Sequence, residues 1–268
     1  MKILFYGDIV GRVGRNAVHL SLNRLKTEYG VDFVIANAEN ASHGRGLTKK
    51  NYHDLVSYGC DALTLGNHWA DKVEIEDYID HADRLIRPLN LVSFSKGVGS
   101  KVFMCGDTPI RVTNILGTGF MKEEVASPYT SFATLLLDSK PCIHIVDYHA
   151  ESTSEKITFA HFFDGKATLF VGTHTHVQTA DMRILEKGSA FMTDVGMTGD
   201  PDGVIGFSKE SVIGKVVMGD HRPFALDKDA RMMVNALIVE VDEKSYRAIS
   251  LKPLNFIVEG EYEESLDN

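Results

Sequence analysis

Several polar side chains in this sequence each follow a short apolar run. They are Asp8, Glu39, Asn67, His149 and the pair His174 and His176. Carboxylate, amide and imidazole groups are ligands that divalent metal ions bind in proteins. Since each apolar run is typical of a buried strand, the polar residue after it would lie at the carboxyl end of that strand. Such ends face one edge of an α/β sheet, so these residues would converge there although 25 to 82 positions separate neighbours in the sequence.

Two of these positions belong to short motifs. In His174-Thr175-His176 the two imidazoles have the spacing that puts side chains on one side of a strand, although such a pair also occurs on ordinary surfaces. In Gly66-Asn67-His68 the glycine lets the backbone approach a site closely, the amide is an oxygen ligand, and His68 is available to move a proton. Taken alone, the second motif could equally be an asparagine-capped turn.

The remaining positions have structural alternatives. Asp8 could cap the helix that follows it, and His149 could be a hydrogen-bonded core histidine. Glu39 has no such simple role, and a carboxylate with two oxygens can bridge two cations. The occurrence of all of them at successive strand ends favours a common site.

The apolar periodicity predicts the elements that would position these residues. Strands are predicted at 3–6, 31–36, 62–65, 101–104, 110–116, 142–146, 168–171, 234–241 and 246–252. Helices are predicted at 14–29, 48–58, 72–86 and 129–137, with Thr48 as an N-cap and Gly30 and Gly59 as C-terminal stops. Alternating strands and helices predict an α/β fold with a mostly parallel sheet, and the lack of a linker predicts one domain over 1–268.

Composition narrows the class of protein. A net charge of −9 argues against broad binding to nucleic acid or anionic lipid, although bound cations could still attract a small anionic substrate. Three cysteines without CxxC spacing are typical of a reducing compartment. No run approaches the roughly 20 apolar residues of a membrane span, so we expect a cytoplasmic protein with no membrane partner.

With these motifs in order, the sequence resembles the calcineurin-like metallophosphoesterases, and within them the YmdB-like bacterial subgroup. The subgroup's Gly-Asp-Ile-Val-Gly, Asn-Ala-Glu-Asn and Thr-Asp-Val-Gly-Met-Thr-Gly runs are found at 7–11, 37–40 and 193–199, and the resemblance covers roughly residues 1 to 255. It implies a sandwich of two mixed β-sheets flanked by helices. Two motifs depart from the broad superfamily, since Asp8 lacks the usual histidine two residues later and Glu39-Asn40 replace an Asp-rich motif.

The resemblance implies a phosphodiesterase with two metal ions and an attacking hydroxide that bridges them. We expect one ion on Asp8, Glu39, Asn40 and His176, and the other on Glu39, Asn67, His149 and His174. Such ligands suit Fe, Mn or Zn. His68 would be the catalytic proton donor, His43 and Arg45 are candidate substrate-binding residues, and Asp194 would either orient a ligand histidine or stabilise a turn.

Substrate and rival functions stay open at this level. The resemblance implies small phosphodiesters, including 2′,3′-cyclic nucleotides, and a homo-oligomer. A regulatory or scaffold protein that keeps the fold and acts through partners is the main alternative. A dehydrogenase with a glycine turn at Gly7, Gly11 and Gly14, or a single-zinc amide hydrolase, leaves most of the ligand-type residues unexplained. The acidic tail at about 259–268 is expected to be disordered.

Overall fold

The computed structural model describes residues 1–227 and 229–260. The strands are β1 (Lys2–Tyr6), β2 (Asp8–Ile9), β3 (Phe33–Asn37), β4 (Ala62–Thr64), β5 (Leu85–Ile86), β6 (Ser100–Cys105), β7 (Thr108–Leu116), β8 (Ile143–His149), β9 (Leu169–Thr173), β10 (Arg183–Ile184), β11 (Ala190–Met192), β12 (Met197–Thr198), β13 (Met232–Asp242) and β14 (Arg247–Val258). The helices are α1 (Gly11–Tyr29), α2 (Lys49–Tyr58), α3 (Ile75–Tyr78), α4 (Pro128–Leu137), α5 (Thr153–Phe162) and α6 (Lys209–Val216).

Two mixed sheets form the centre of the fold. The first has the order β14-β13-β1-β3-β4-β5, in which β1, β3, β4 and β5 are parallel, β13 is antiparallel to β1, and β14 is antiparallel to β13. The second has the order β10-β11-β9-β8-β7-β6, in which β7, β8, β9 and β11 are parallel. The short parallel pair β2–β12 lies apart from both. The α/β sandwich of two mixed sheets is therefore confirmed, whereas a mostly parallel single sheet is not what forms.

The two sheets pack face to face, and the alternation of side chains along each strand divides the core into layers. On β1, Ile3 and Phe5 point toward the second sheet and share a core cluster with Val112 of β7 and Ile145 of β8. Leu4 and Tyr6 of the same strand pack instead against α1 and α2. Helices α4 and α5 cover the outer face of the second sheet. Helices thus flank the sandwich on both sides.

The carboxyl ends of the strands from both sheets meet at one edge. Asp147 near the end of β8 accepts hydrogen bonds from Asn37 at the end of β3, at 2.9 Å, and from Thr64 at the end of β4, at 2.5 Å. These contacts join the two sheets where the predicted ligands are concentrated. The polar residues at the strand ends therefore converge from both sheets, and not only from neighbouring strands of one sheet.

Local signals predicted several helix ends correctly. Thr48 accepts a hydrogen bond from the backbone N–H of Asn51, and Gly30 and Gly59 adopt left-handed conformations after α1 and α2. Helix α1 is capped at Val10 without a side-chain hydrogen bond, so Asp8 does not act as its N-cap. That aspartate is left for another role.

The helix predicted at 72–86 is wrong over most of its length. Only Ile75–Tyr78 forms an α-helix, followed by a 3₁₀ turn at Ile79–His81 and then by strand β5. Pro88 disfavours helical backbone at the residue before it, and the buried pair Leu85–Ile86 adds a parallel strand beside β4. Tertiary pairing therefore overrides the apolar spacing here.

Other differences concern elements that the periodicity did not predict. Helix α5 begins after Ser152, which accepts from the N–H of Glu155, a capping signal present in the sequence. Helix α6 has only eight residues and buries none of them. Strand β8 extends through His149 rather than ending before it. The predicted tail disorder concerns 259–268, of which 261–268 lie outside the described residues.

Within the described part of the chain, no helix has both the length and the apolar character that crossing a bilayer requires.

Candidate metal centre

Three of the predicted ligands surround one nitrogen of His149. Its Nε2 lies 2.9 Å from Oδ1 of Asn67, 3.1 Å from Oε1 of Glu39 and 3.0 Å from Nδ1 of His174. One imidazole nitrogen carries at most one proton, so it cannot make a good hydrogen bond to all three groups. A cation among them would use a lone pair from each. One donor atom from each of Glu39, His149 and His174 lies within 4.8 Å of the other two, which is the spacing of metal ligands.

A second pair lies beside this cluster. Nε2 of His176 is 3.2 Å from Oδ1 of Asn40, and the amide nitrogen of Asn40 donates to the carbonyl oxygen of Gly44 at 3.0 Å. The other ring nitrogen of His176 lies 2.9 Å from the carbonyl oxygen of Ile205. Since a carbonyl only accepts, Nδ1 of His176 carries the proton and Nε2 offers its lone pair toward Asn40.

Asp8 is fully buried between these two groups. Its Oδ2 accepts the backbone N–H of His174 at 3.1 Å, and Oδ1 lies 3.8 Å from Nδ1 of His149. Oδ1 is one of the few buried side-chain nitrogen or oxygen atoms in the described residues that have no hydrogen-bond partner. Burial raises the pKa of Asp8 to about 6, although His176 and His149 oppose the shift. A buried carboxylate oxygen without a partner fits a site that binds a cation.

Charge is strongly concentrated in this site. Burial by itself would raise the pKa of Glu39, but the neighbouring His149 lowers it to about 2. Burial likewise works against the charged form of His149, yet Glu39 and Asp8 raise the pKa of that imidazole to about 9. Two buried carboxylates beside a buried imidazole are the chemistry of a divalent-cation site, and these residues fit one.

The segment that holds the last two proposed ligands has an unusual backbone. His174 and His176 have φ angles of 103° and 66°, in the left-handed region that non-glycine residues seldom adopt. Asp194 fixes this segment, because its Oδ2 accepts the N–H of Thr175 at 3.1 Å and its Oδ1 accepts the N–H of Gly196 at 2.8 Å. Asp194 thus stabilises its own turn and the backbone between the two histidines, without a direct contact to either imidazole.

A buried lysine completes that support. Nζ of Lys156 donates to Oδ2 of Asp194 at 2.8 Å and to the carbonyl oxygen of Thr173 at 2.7 Å, and both charged side chains are almost fully buried. Lys156 comes from α5, a helix that the apolar periodicity did not predict. Its role was therefore missed at the sequence level.

His68 lies at the rim of the site. Its backbone N–H donates to Oε2 of Glu39 at 3.1 Å, and its Nδ1 lies 2.9 Å from Oδ2 of Asp71. The side chain is half-buried and lines a cavity of about 370 Å³ together with Glu39, Asn40, His174 and His176. Asp71 was missed, although its spacing of three residues from His68 could have indicated it.

The two candidate substrate-binding residues differ in position. Arg45 is exposed and lines the cavity. His43 is exposed with a φ of 57° and is not among the described residues that line it. Glu151, which sequence reasoning also missed, lines the cavity and places Oε2 3.2 Å from Nε2 of His174. The structure thus brings Arg45, but not His43, to the site.

The glycines of the nucleotide-turn alternative have another use. A side chain on Gly7 would collide with the carbonyl oxygen of Gly196, and one on Gly14 would collide with that of Thr198. These glycines therefore permit close packing of β1 and α1 against the segment around β12. That packing accounts for both glycines without a bound nucleotide.

Comparison with known proteins covers almost the whole chain. Residues 4–254 match the family model described as YmdB-like protein. A Bacillus subtilis protein named 2′,3′-cyclic-nucleotide 2′-phosphodiesterase is 40% identical over 255 residues, which are 94% of this chain and 96% of that protein.

Two crystal structures of other proteins are similar to this chain over almost its full length. One is described as a novel phosphatase from Mycoplasma pneumoniae and has a TM-score of 0.90 at 40% identity, covering 96% of this chain and 93% of that one. The other, a hypothetical protein from Thermus thermophilus, has a TM-score of 0.89 at 33% identity, covering 96% and 99%. With its ligand-type residues gathered at one sheet edge, this chain belongs to the YmdB-like family and is an enzyme of the metallophosphoesterase type.

Proposed function

We propose that this protein is a phosphodiesterase that uses two metal ions. The observation that carries the proposal is the convergence of Glu39, Asn67 and His174 on Nε2 of His149. The Bacillus subtilis relative is named a cyclic-nucleotide phosphodiesterase, and the proposal extends that activity class to this chain.

The proposed ligands divide into two groups that share Glu39. Asn67, His149 and His174 would complete one set, and the contacts around Nε2 of His149 support it. Asp8, Asn40 and His176 would complete the other, supported by the pair of His176 with Asn40 and by the buried oxygen of Asp8. Imidazole with carboxylate and amide oxygen favours iron, manganese or zinc over calcium or magnesium.

The chain's own residues would then act around the phosphate. Bound cations would supply positive charge for the phosphate oxygens and a nucleophilic water. His68, which lines the cavity and is held by Asp71, would donate a proton to the leaving alkoxide. Arg45 at the rim would hold a non-bridging phosphate oxygen through its guanidinium.

The proposed substrates are small phosphodiesters, with 2′,3′-cyclic nucleotides as the specific class. The name of the Bacillus subtilis relative supports this class. The net charge of −9 does not argue against an anionic substrate of this size, because cations bound in the site would make the local charge positive. The same charge argues against a long nucleic acid as substrate.

Glu39→Gln provides the direct test. The variant should lose bound metal and hydrolysis together, measured by elemental analysis of the purified protein and by turnover of adenosine 2′,3′-cyclic phosphate and a simple diester. Glu186→Gln, at an exposed position, is the matched control and should keep both. A Glu39 variant with wild-type turnover would refute the bridging role. A metal-loaded wild type inactive on all diesters would favour the regulatory or scaffold alternative.

Three further expectations accompany this function. The free thiols of Cys60, Cys105 and Cys142 support activity in a reducing compartment, which we propose to be the cytoplasm. The core cluster shared by both sheets supports treating 1–268 as one catalytic domain. A homo-oligomer stays a prediction, which sedimentation of the purified protein would test.

A further inference from the structure

The proposed catalytic cavity has an apolar side. Beside the ligand-type residues, its wall includes Ile205, Phe207 and Phe224. All three belong to the long segment between β12 and β13, in which no sequence motif indicates a function. A cavity of about 370 Å³ lies in the range of ~300–1,000 Å³ that is usual for small-molecule sites, so a ligand larger than a phosphate fits.

The two aromatic rings pack against each other and against neighbouring groups. Their centroids are 5.5 Å apart with the planes tilted by 45°. A Cβ on Gly44 would come within 2.9 Å of the Phe207 ring, so that glycine lets the ring pack directly on the loop that carries Arg45. Nζ of Lys215 lies 4.9 Å from the centre of the Phe224 ring. Both rings are nevertheless only half-buried, and each contributes to the cavity wall.

Ile205 joins this apolar wall to the metal ligands. Its carbonyl oxygen accepts from His176, while its side chain is 49% exposed and lines the cavity. It has a φ of 47°, which is strained for a β-branched residue. Strain of this kind is typical of functional sites. Here the strained backbone directs the carbonyl oxygen toward His176 while the side chain joins the apolar wall of the cavity.

We propose that Phe207 and Phe224 form the nucleobase-binding side of the site. This inference rests on the proposed function, since it assigns the part of a cyclic nucleotide that the metal centre does not contact. A base stacked on these rings would be held with its phosphate at the ligand residues. Because every base has a π-face, stacking predicts a general preference for nucleotides over base-free diesters rather than selection of one base.

The test compares substrates that differ only in the base. Adenosine 2′,3′-cyclic phosphate and methyl ribofuranoside 2′,3′-cyclic phosphate would be assayed with wild type, the double variant Phe207→Leu/Phe224→Leu, and Phe162→Leu. Phe162 is 68% exposed on α5, lies outside this cavity, and is the matched control. Leucine keeps most of the apolar volume, so the variants should fold, as circular dichroism and thermal unfolding would show.

The expected result is a loss in kcat/KM of about tenfold or more for the adenosine substrate in the double variant, the order expected for losing one stacked base. The base-free substrate should change less than about twofold, and Phe162→Leu should leave both values unchanged. Equal losses on both substrates, or no loss on either, would overturn the base-binding role.

A binding measurement separates this inference from the proposed function. Adenosine 3′-monophosphate and methyl ribofuranoside 3-phosphate would be titrated into wild type and double variant by calorimetry. One outcome is that wild type binds the nucleotide more tightly than the base-free phosphate, that the double variant does not, and that wild type hydrolyses neither cyclic phosphate. This outcome would support the base site and refute the phosphodiesterase activity. Hydrolysis of both cyclic phosphates by wild type, with no preference for the nucleotide in binding, would support the phosphodiesterase activity and refute the base site.

Discussion

The hydroxyl oxygen of Thr173 lies 2.8 Å from Nδ1 of His149 and 2.7 Å from Oδ1 of Asp147. The Asp147 carboxylate accepts hydrogen bonds, here also from Thr64 and Asn37, so the Thr173 hydroxyl donates its proton to Asp147. The same hydroxyl oxygen is then left to accept from Nδ1 of His149. Nδ1 of His149 therefore carries a proton. The opposite nitrogen, Nε2, is left to act as a ligand, which is the usual arrangement of a metal-binding histidine.

Thr173→Val should weaken metal binding while leaving the fold intact. Valine matches threonine in shape but gives Nδ1 of His149 no acceptor, and losing such a contact typically costs 10- to 100-fold in metal affinity. Titration against a competing chelator would measure the loss. Thr173→Ser keeps the hydroxyl and should recover most of the affinity. Equal affinity in the valine variant and wild type would show that Thr173 does not orient the ring.

Gly66→Ala should remove metal and activity together. A methyl group there would collide with the Glu39 carboxylate and the His149 ring, so those side chains would have to move apart. Metal content and diester hydrolysis measure the effect. Gly214→Ala in α6 is the control, since its new Cβ would make only ordinary contacts at 3.6 Å and the helix should gain up to about 1 kcal/mol. A metal-replete, active alanine variant at 66 would contradict the close approach.

His68→Ala should retain its metal and lose on the order of 10²–10⁴ in turnover, the usual contribution of a general acid. Asp71→Asn should cause a smaller loss through the same imidazole, because it removes the carboxylate that orients the ring. The double variant should then be no slower than His68→Ala alone. If the loss of turnover in the double variant equals the product of the two single losses, the two residues act independently.

Lys156→Met should destabilise the protein by about 3–5 kcal/mol, because it leaves the Asp194 carboxylate buried without its cation. Urea unfolding measures the difference in the free energy of unfolding. Adding Asp194→Asn should recover part of it. The exposed pair of Lys101 with Asp83 is the control, and Lys101→Met should cost less than about 1 kcal/mol. Similar costs for both lysines would argue against a supporting role for Lys156.

His144 should make stability fall in acid. Burial, with a smaller effect of Arg111, lowers the pKa of this imidazole from 6.5 to about 3 in the folded protein. Between these values the unfolded chain binds a proton that the folded protein does not, so the free energy of unfolding decreases as the pH falls from 6.5 toward 3. At pH 5 the contribution is about 2 kcal/mol.

His144→Gln should therefore lose less stability than wild type between pH 7 and pH 5, by about this amount. Its amide can still reach Thr113, the present partner of Nε2 at 2.9 Å. Urea unfolding at both pH values measures the difference. His161→Gln, at an exposed position of α5, should follow the wild-type profile. Parallel profiles for wild type and the His144 variant would refute the assignment.

The sequence by itself determined the residue types of the proposed ligands and their order along the chain. Asp8, Glu39 and Asn67 each follow an apolar run of the first sheet, and local alternation is enough to indicate such runs and the polar residues after them. Motifs at fixed spacing also sufficed to indicate the family. Helix ends such as those at Thr48 and Gly59 were predictable for the same reason, since capping depends on neighbouring residues.

Only the tertiary structure decided which atoms meet. The carbonyl of Ile205 on His176 cannot be predicted from residue type, because every residue has a carbonyl. Lys156 reaches Asp194 only after α5 has packed on the second sheet. Phe207 and Phe224 lie on either side of the short helix α6, and they line the same cavity as the proposed ligand residues only because this segment returns to the sheet edge. Periodicity reports local geometry, whereas a site depends on distances between segments far apart in the chain.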